Sequence, residues 1–337
     1  MGFSGNNKIL EVKNLRTYFY TDDGIVKAVD GISFDLMVGE TLGIVGETGS
    51  GKSVTALSIL RLIPQPPGKI VSGEIIFDGR NLLEMGGAEL QNFRGNKISM
   101  IFQDPMTSLN PVYTISNQII ESIVIHRKLS KKEAIKECLK LLEMVEIPEP
   151  ERRLNSYPHE FSGGMRQRAM IAMAIANSPG ILIADEPTTA LDVTIQAQIL
   201  ELIDGLKTKT KSSIIIITHD LGVVAKYAER VMVMYAGRAV EFSTVDNIYY
   251  KSYHPYTIGL MNSITRLDED QKERLKPIKG SPPSLIDLPN GCVFRKRCKY
   301  AIDVCKKEYP PLIEIEKNHF VSCHRAGEFL KGSLNRI

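Results

Sequence analysis

Apolar and polar positions follow two rhythms along the chain. Near the start, "KILEVKNLRTYFY" (8–20) and "GISFDLMVG" (31–39) are β-rich runs bounded by Gly, Asp and Asn, and they predict strands. "TLGIVG" (41–46) is a continuous apolar run of the kind a fully buried strand needs, and the amphipathic "KSVTALSILRLI" (52–63) behind it predicts a helix stopped before Pro64. "EIIFDGRNL" (74–82) carries Asp78-Gly79 between short strand-like runs, a hairpin signal. From Asn110 to about Ser156 the spacing turns helical, as in "SNQIIESIVIHRKL" and "KKEAIKECLKLLEMVEI". Strand and helix signals then alternate through "ILIADE", "TIQAQILELIDGLK", "SSIIIITH", "DLGVVAKYAE" and "RVMVMYAGRAVEF". That alternation predicts an α/β fold, a sheet covered by helices and interrupted by a helical insertion. After about Tyr250 the pattern breaks up around Pro282-Pro283 and Pro310-Pro311, and a loop-rich tail is expected.

Composition narrows the class without naming a chemistry. The 337 residues suit one large domain with appendages, or two domains. A formal net charge of +3 is too small to imply nucleic acid or an anionic membrane as partner. No apolar run reaches the roughly 18 residues of a spanning helix. The start has no apolar core run or cleavage site of a signal peptide, and Asn6 stands where myristoylation needs Ser or Thr. These features lead to the expectation of a soluble, cytosolic chain.

"GETGSGKS", Gly46 to Ser53, matches G-x-x-x-x-G-K-[ST] between a predicted strand and a predicted helix, the context of a phosphate-binding P-loop. The loop Gly46, Glu47, Thr48, Gly49, Ser50, Gly51 can turn successive N–H groups toward phosphate oxygens, and the helix start adds partial positive charge. Lys52 is expected to reach the β- and γ-phosphates of a nucleotide, and the Ser53 hydroxyl to ligate Mg²⁺. "ILIADE" ends in two carboxylates: Asp185 as a Mg²⁺ ligand and Glu186 as the group polarising an attacking water. In "EFSGGMRQRAMIAMAIANSP" (160–179), Ser162 can cap a helix whose first turn, Gly163-Gly164, leaves bare N–H groups. One nucleotide does not need two such termini from one chain, so the second is read as completing the site of a partner molecule.

"GETGSGKS", "FSGGMRQR", "ILIADEP", "TALD" and "ITHD", in this order and spacing, resemble the ATP-binding subunits of ABC transporters over about Ile9 to Phe242. The resemblance implies a P-loop NTPase with a RecA-like mixed sheet, an antiparallel β subdomain and a helical subdomain at about 104–160. By the same resemblance Ser162, Gly163 and Gly164 contact the γ-phosphate bound to an opposing subunit. Gln103, after "KISMIF", senses Mg²⁺ and the attacking water; His219 contacts the γ-phosphate; Asp192 lies at a dimer interface. An aromatic of "TYFY" is expected on adenine, with Phe19 favoured and Tyr20 or Tyr18 as alternatives. Met165 departs from the family, which carries Gln at that position.

The tail refines the resemblance. "YHPYTIGLMNSI", "IKGSPPSLIDLPNGCVFRKRC" and "VSCHRAGE" are similar to the C-terminal extension of ATPase subunits of dipeptide, oligopeptide and nickel importers. That implies an ATPase domain at 1–250 with an extension at 251–337. It also implies pairing with a second ATPase subunit beneath two permease subunits, peripheral on the inner face of the membrane, and delivery of peptide by a substrate-binding protein. The competing reading is a soluble ABC ATPase acting on nucleic acid or ribosomes, against which stand the single ATPase unit and the absence of a coiled-coil arm.

Four of the five cysteines, Cys292, Cys298, Cys305 and Cys323, fall in this tail as C-x5-C-x6-C-x17-C beside Arg295, Lys296, Arg297 and Lys299. Incidental thiols, a disulfide, Zn²⁺ and an iron–sulfur cluster are the alternatives, and the cations are expected to lower the thiol pKa values. The importer resemblance implies a four-cysteine [4Fe–4S] site, with zinc as the alternative and His324 as a spare ligand.

Overall fold

A computed structural model describes residues 7–189, 191–263, 278–286 and 288–334. Its strands, in chain order, are β1 (Lys8–Thr21), β2 (Gly24–Met37), β3 (Thr41–Val45), β4 (Gly68–Phe77), β5 (Arg80–Asn81) and β6 (Ile98–Ile101). They continue with β7 (Ile181–Asp185), β8 (Ser213–Thr218), β9 (Arg230–Tyr235), β10 (Arg238–Thr244), β11 (Ile313–Glu316) and β12 (His319–Val321). The chain divides into two compact units, one holding 1–10, 36–41 and 77–217, the other 11–35, 42–76 and 218–337.

In the first unit β6, β7 and β8 pair in parallel in that order. Every residue of these strands is buried, which is why they read as unbroken apolar runs. The helical insertion folds as helices Ile115–Val124 and Lys131–Met144 with shorter turns, and the helix Gly163–Ile175 follows it. Ser130 and Glu133 close a capping box at the start of the second of these, and Thr114 caps the first. Cys138 lies fully buried on the Lys131–Met144 helix.

In the second unit the phosphate-loop strand β3 pairs in parallel with β9, and β9 pairs antiparallel with β10. "RVMVMYAGRAVEF" is thus two strands, turned at Ala236 and Gly237, both at positive φ (47° and 79°). In the first unit the Asp78-Gly79 turn uses the same backbone, at φ 47° and 76°. The helix after the phosphate loop, Lys52–Ile59, ends before the expected Ile63; Leu60 caps it and Arg61 turns to φ 52°.

The tail holds more regular structure than its sequence predicts. β12 pairs antiparallel with β10, and β11 pairs with β12. The carboxylate of Glu241 on β10 joins this edge to the helix Pro255–Met261. It accepts from the backbone N–H groups of Tyr253 (2.7 Å) and His254 (3.1 Å) and lies 2.8 Å from His319 Nε2 on β12.

Candidate functional site

The phosphate loop sits where β3 ends and packs closely against neighbours of its own unit. A Cβ at Gly46 would lie 2.2 Å from the Met234 carbonyl at the end of β9, and one at Gly51 would lie 2.2 Å from the Ala28 carbonyl. Gly237 N–H donates to Ser50 O at 2.9 Å, tying the β9–β10 turn to the loop. The helix Lys52–Ile59 begins at Gly51, whose backbone stands at φ 100° and which has no side chain with which to cap it. Lys52 is buried to 5 % exposure, and its Nζ donates to the carbonyls of Gly46 (2.9 Å) and Glu47 (3.2 Å), which fixes the ammonium against the loop.

Of the aromatics in "TYFY", Tyr18 is already engaged. Its hydroxyl donates to Asp30 Oδ1 at 2.7 Å, and burial together with that carboxylate pushes its pKa up to about 12. Phe19 is half-buried beside Gly68, and Tyr20 is exposed. His219 follows β8 at the surface, just before Asp220, whose carboxylate caps the next helix through Gly222 N–H at 2.7 Å.

In the first unit, Asp185 closes β7 and is buried to 4 % exposure. Glu186 follows at φ 45°, a left-handed backbone unusual for a non-glycine residue, fixed in part by its N–H donating to Ile217 O at 2.8 Å. Two groups donate to its Oε2: Gln103 Nε2 at 3.1 Å and Thr189 Oγ1 at 3.0 Å. The structure thus joins Gln103 to Glu186, and it adds Thr189, which sequence reasoning passed over because one threonine among "EPTT" carries no spacing signal. Ser162 caps Gly163–Ile175 by accepting from Met165 N–H at 3.3 Å, leaving Ser162 and Gly163 exposed. Asp192 caps Val193–Thr210 by accepting from Ile195 N–H at 3.0 Å; Ala190 of "TALD" lies outside the described residues.

The cysteine expectation is corrected. Among the described residues no group of three or more His, Cys, Asp or Glu side chains is placed to hold a metal ion, so neither the [4Fe–4S] cluster nor zinc is retained. Cys292, Cys298, Cys305 and Cys323 line a cavity of only about 10 Å³ with Phe294, Tyr300 and His254. Burial pushes the thiols of Cys292 to about 11 and Cys323 to about 12, and raises that of Cys298. At these three thiols desolvation outweighs the backbone N–H groups and, at Cys298, the Arg325 charge that favour the thiolate, so the neutral form is preferred. The cations have other partners: Lys299 lies over the Tyr300 ring, and Arg297 pairs with Glu47. His324 Nε2 is 3.1 Å from Glu308 O.

His254, in the same cavity wall, is buried to 2 % exposure, and burial lowers its pKa from 6.5 to about 3. The neutral ring accepts from Tyr256 N–H through Nδ1 at 3.1 Å. Between those two pKa values the unfolded chain binds the extra proton. Its contribution is therefore full above about pH 6.5 and declines toward pH 3 by up to about 1.4 kcal/mol per pH unit. Urea unfolding across that range should show a shallower acid decline for His254→Asn, which keeps a cap acceptor, than for the unmodified chain. Parallel declines would remove His254 from this role.

A phosphate loop on β3, a carboxylate pair ending β7 and a capped Ser-Gly-Gly helix start define an ATP-binding cassette. Residues 29–189 match the ABC transporter family, and residues 240–305 match the oligopeptide/dipeptide transporter C-terminal region. The chain is 54 % identical over 320 residues to a probable peptide ABC transporter ATP-binding protein, y4tR, of Sinorhizobium fredii, covering 95 % of this chain and 96 % of that one. It is 54 % identical to the oligopeptide transport ATP-binding protein OppD of Bacillus subtilis (93 % and 88 % covered) and 53 % to the dipeptide transport ATP-binding protein DppD of the same organism (94 % of each). Among solved structures, the dimeric ATP-binding cassette MJ0796 bound to ADP and Pi superposes with a TM-score of 0.63 at 29 % identity, covering 70 % of this chain and 98 % of that one. The cassette cbiO1 of Clostridium perfringens gives 0.61 at 27 %, covering 73 % and 92 %. The protein is an ABC ATPase. Within that class it belongs to the ATP-binding subunits of oligopeptide/dipeptide transporters, and the comparisons support this reading over the nucleic-acid one. No helix among the described residues is long and apolar enough to cross a membrane.

Proposed function

We propose that this chain hydrolyses ATP to drive peptide import through separate permease subunits, paired with a second ATPase subunit on the inner membrane face and served by a substrate-binding protein. The observation that carries it is the presence, in one chain, of the ABC segment at 29–189 and the oligopeptide/dipeptide C-terminal segment at 240–305. Residues 1–250 then form the ATPase and 251–337 the extension that distinguishes this branch.

In this reading the loop Gly46–Ser53 binds the phosphates, with Lys52 on the β- and γ-phosphates, and Phe19 or Tyr20 stacks on adenine. The Tyr18 hydroxyl is engaged with Asp30, which favours Phe19 or Tyr20 over it in this role. The Ser53 hydroxyl and the Asp185 carboxylate are hard oxygen donors that fit Mg²⁺, with Gln103 as a further oxygen. Bound there, the ion would neutralise charge between the β- and γ-phosphates. Glu186 polarises the attacking water and takes its proton, its carboxylate oriented by Gln103 and Thr189. His219 contacts the γ-phosphate. Ser162, Gly163 and Gly164 present N–H groups to the nucleotide of the opposing subunit, with Asp192 at the interface between the two. ATP closes the pair because it binds the closed state better than the open one.

Affinity capture of the tagged chain from solubilised membranes, followed by mass spectrometry, tests the assembly. Two hydrophobic permeases and a second ATPase are expected in the eluate. Recovery with RNA or ribosomes instead would overturn the proposal.

A further inference from the structure

Glu47, second residue of the phosphate loop, is held by two residues from the last third of the chain. Its N–H donates to the Tyr256 hydroxyl at 2.9 Å. Its carboxylate accepts from both terminal nitrogens of Arg297, Nη1 at 2.7 Å and Nη2 at 3.0 Å, across 250 residues of sequence. A guanidinium fork on a carboxylate is directional in a way that a lysine contact is not. The pair is partly withdrawn from water, with the Arg297 side chain 6 % and that of Glu47 27 % exposed. Arg297 is fixed from its other side, because Nε donates to Lys279 O at 3.1 Å and Nη1 also reaches the Tyr235 hydroxyl at 3.3 Å.

The cysteine loop puts Arg297 there. Cys292 N–H donates to Cys305 O and Arg297 N–H to Phe294 O, each at 2.9 Å. Gly291 turns at φ 78°, where a Cβ would lie 2.4 Å from Cys305 O. Phe294, 3 % exposed, packs its ring against Tyr235 (5.2 Å between centroids) and Tyr256 (5.5 Å). The loop is thus a rigid mount that presents one guanidinium to the phosphate loop.

Glu47 passes that constraint to the binding machinery. Its carbonyl accepts from Lys52 Nζ at 3.2 Å and from Ser50 N–H at 3.1 Å, so a rotation of the Glu47 peptide would displace both. We infer that Arg297 is a positioning residue for ATP binding, holding the phosphate loop and Lys52 in place through Glu47 and coupling the C-terminal extension to the nucleotide. The inference rests on the phosphate-loop assignment above. Because binding free energies are reciprocal, ATP must also tighten the docking of the cysteine loop.

The test is equilibrium binding of a fluorescent ATP analogue to the full chain, with urea unfolding run in parallel. Arg297→Met and Glu47→Gln should each weaken binding about tenfold, or about 1.4 kcal/mol. The double variant should bind no worse than the weaker single one, because both remove the same contact. Arg297→Lys should recover part of the affinity, and KM for ATP should move more than kcat. A merely structural contact would lower stability and leave the affinity of the folded protein within twofold of the unmodified chain, which would overturn the inference. Additive losses in the double variant would overturn it too. Lys52→Ala serves as reference: its unimpaired binding would instead overturn the phosphate-loop assignment. Should Arg297→Met fail to fold, Glu47→Gln decides, since it leaves the Arg297 contacts to Lys279 and Tyr235 in place.

Discussion

Glu186→Gln is expected to lower steady-state ATP hydrolysis by about 10²–10⁴-fold while ATP binding stays within a few-fold of the unmodified chain. The carboxamide has the shape of the carboxylate but cannot take a proton from water. Gln103 and Thr189 both donate to Glu186 Oε2, and an amide oxygen there can still accept from them, so the local geometry should persist. With chemistry blocked and binding intact, ATP should hold two ATPase subunits together, visible as an ATP-dependent shift to a dimer in sedimentation. Unimpaired turnover would remove Glu186 from its role. Loss of binding along with turnover would make its position structural. The left-handed backbone at φ 45° agrees with a functional position, since such conformations persist where the surroundings enforce them.

Glu241→Ala should be among the costliest substitutions away from the nucleotide, at about 1–3 kcal/mol for each buried polar group it strands. Glu241 and His319 are both fully buried and lie 2.8 Å apart. The same carboxylate satisfies the N–H groups of Tyr253 and His254, so truncation strands several polar groups without water. Exposed pairs such as Arg152–Glu149, whose side chains are 79 % and 59 % accessible, should contribute at most about 1 kcal/mol. Urea unfolding distinguishes the cases, and Glu241→Gln, which retains an acceptor, should fall between them. A loss below about 1 kcal/mol for Glu241→Ala would mean that β12 and the Pro255–Met261 helix do not depend on this group.

Local signals were legible where chemistry and backbone repeat at short range. "GETGSGKS" lies between a strand and a helix, Ser162 caps a helix, and Asp78-Gly79 makes a turn at positive φ. What stayed hidden depends on partners distant in sequence. Glu241 reads as an ordinary strand residue until β12 brings His319 to it across 78 positions. Arg297 reads as one more cation in "FRKRC" until the fold sets it on Glu47. The cysteines misled for the same reason: spacing and neighbouring charge suggested thiolates around a metal, whereas burial, which no spacing reveals, raises the thiol pKa values of Cys292, Cys298 and Cys323. The tail strands β11 and β12 are only four and three residues long, too short for an alternating pattern to register.

Uptake of labelled di- and oligopeptides by cells lacking this chain, complemented with either the unmodified protein or Glu186→Gln, tests the central claim most directly. The account predicts that uptake is lost on deletion, restored by the unmodified chain and not restored by Glu186→Gln. Peptide uptake that is unchanged by deletion, or fully restored by the Glu186→Gln protein, would contradict it.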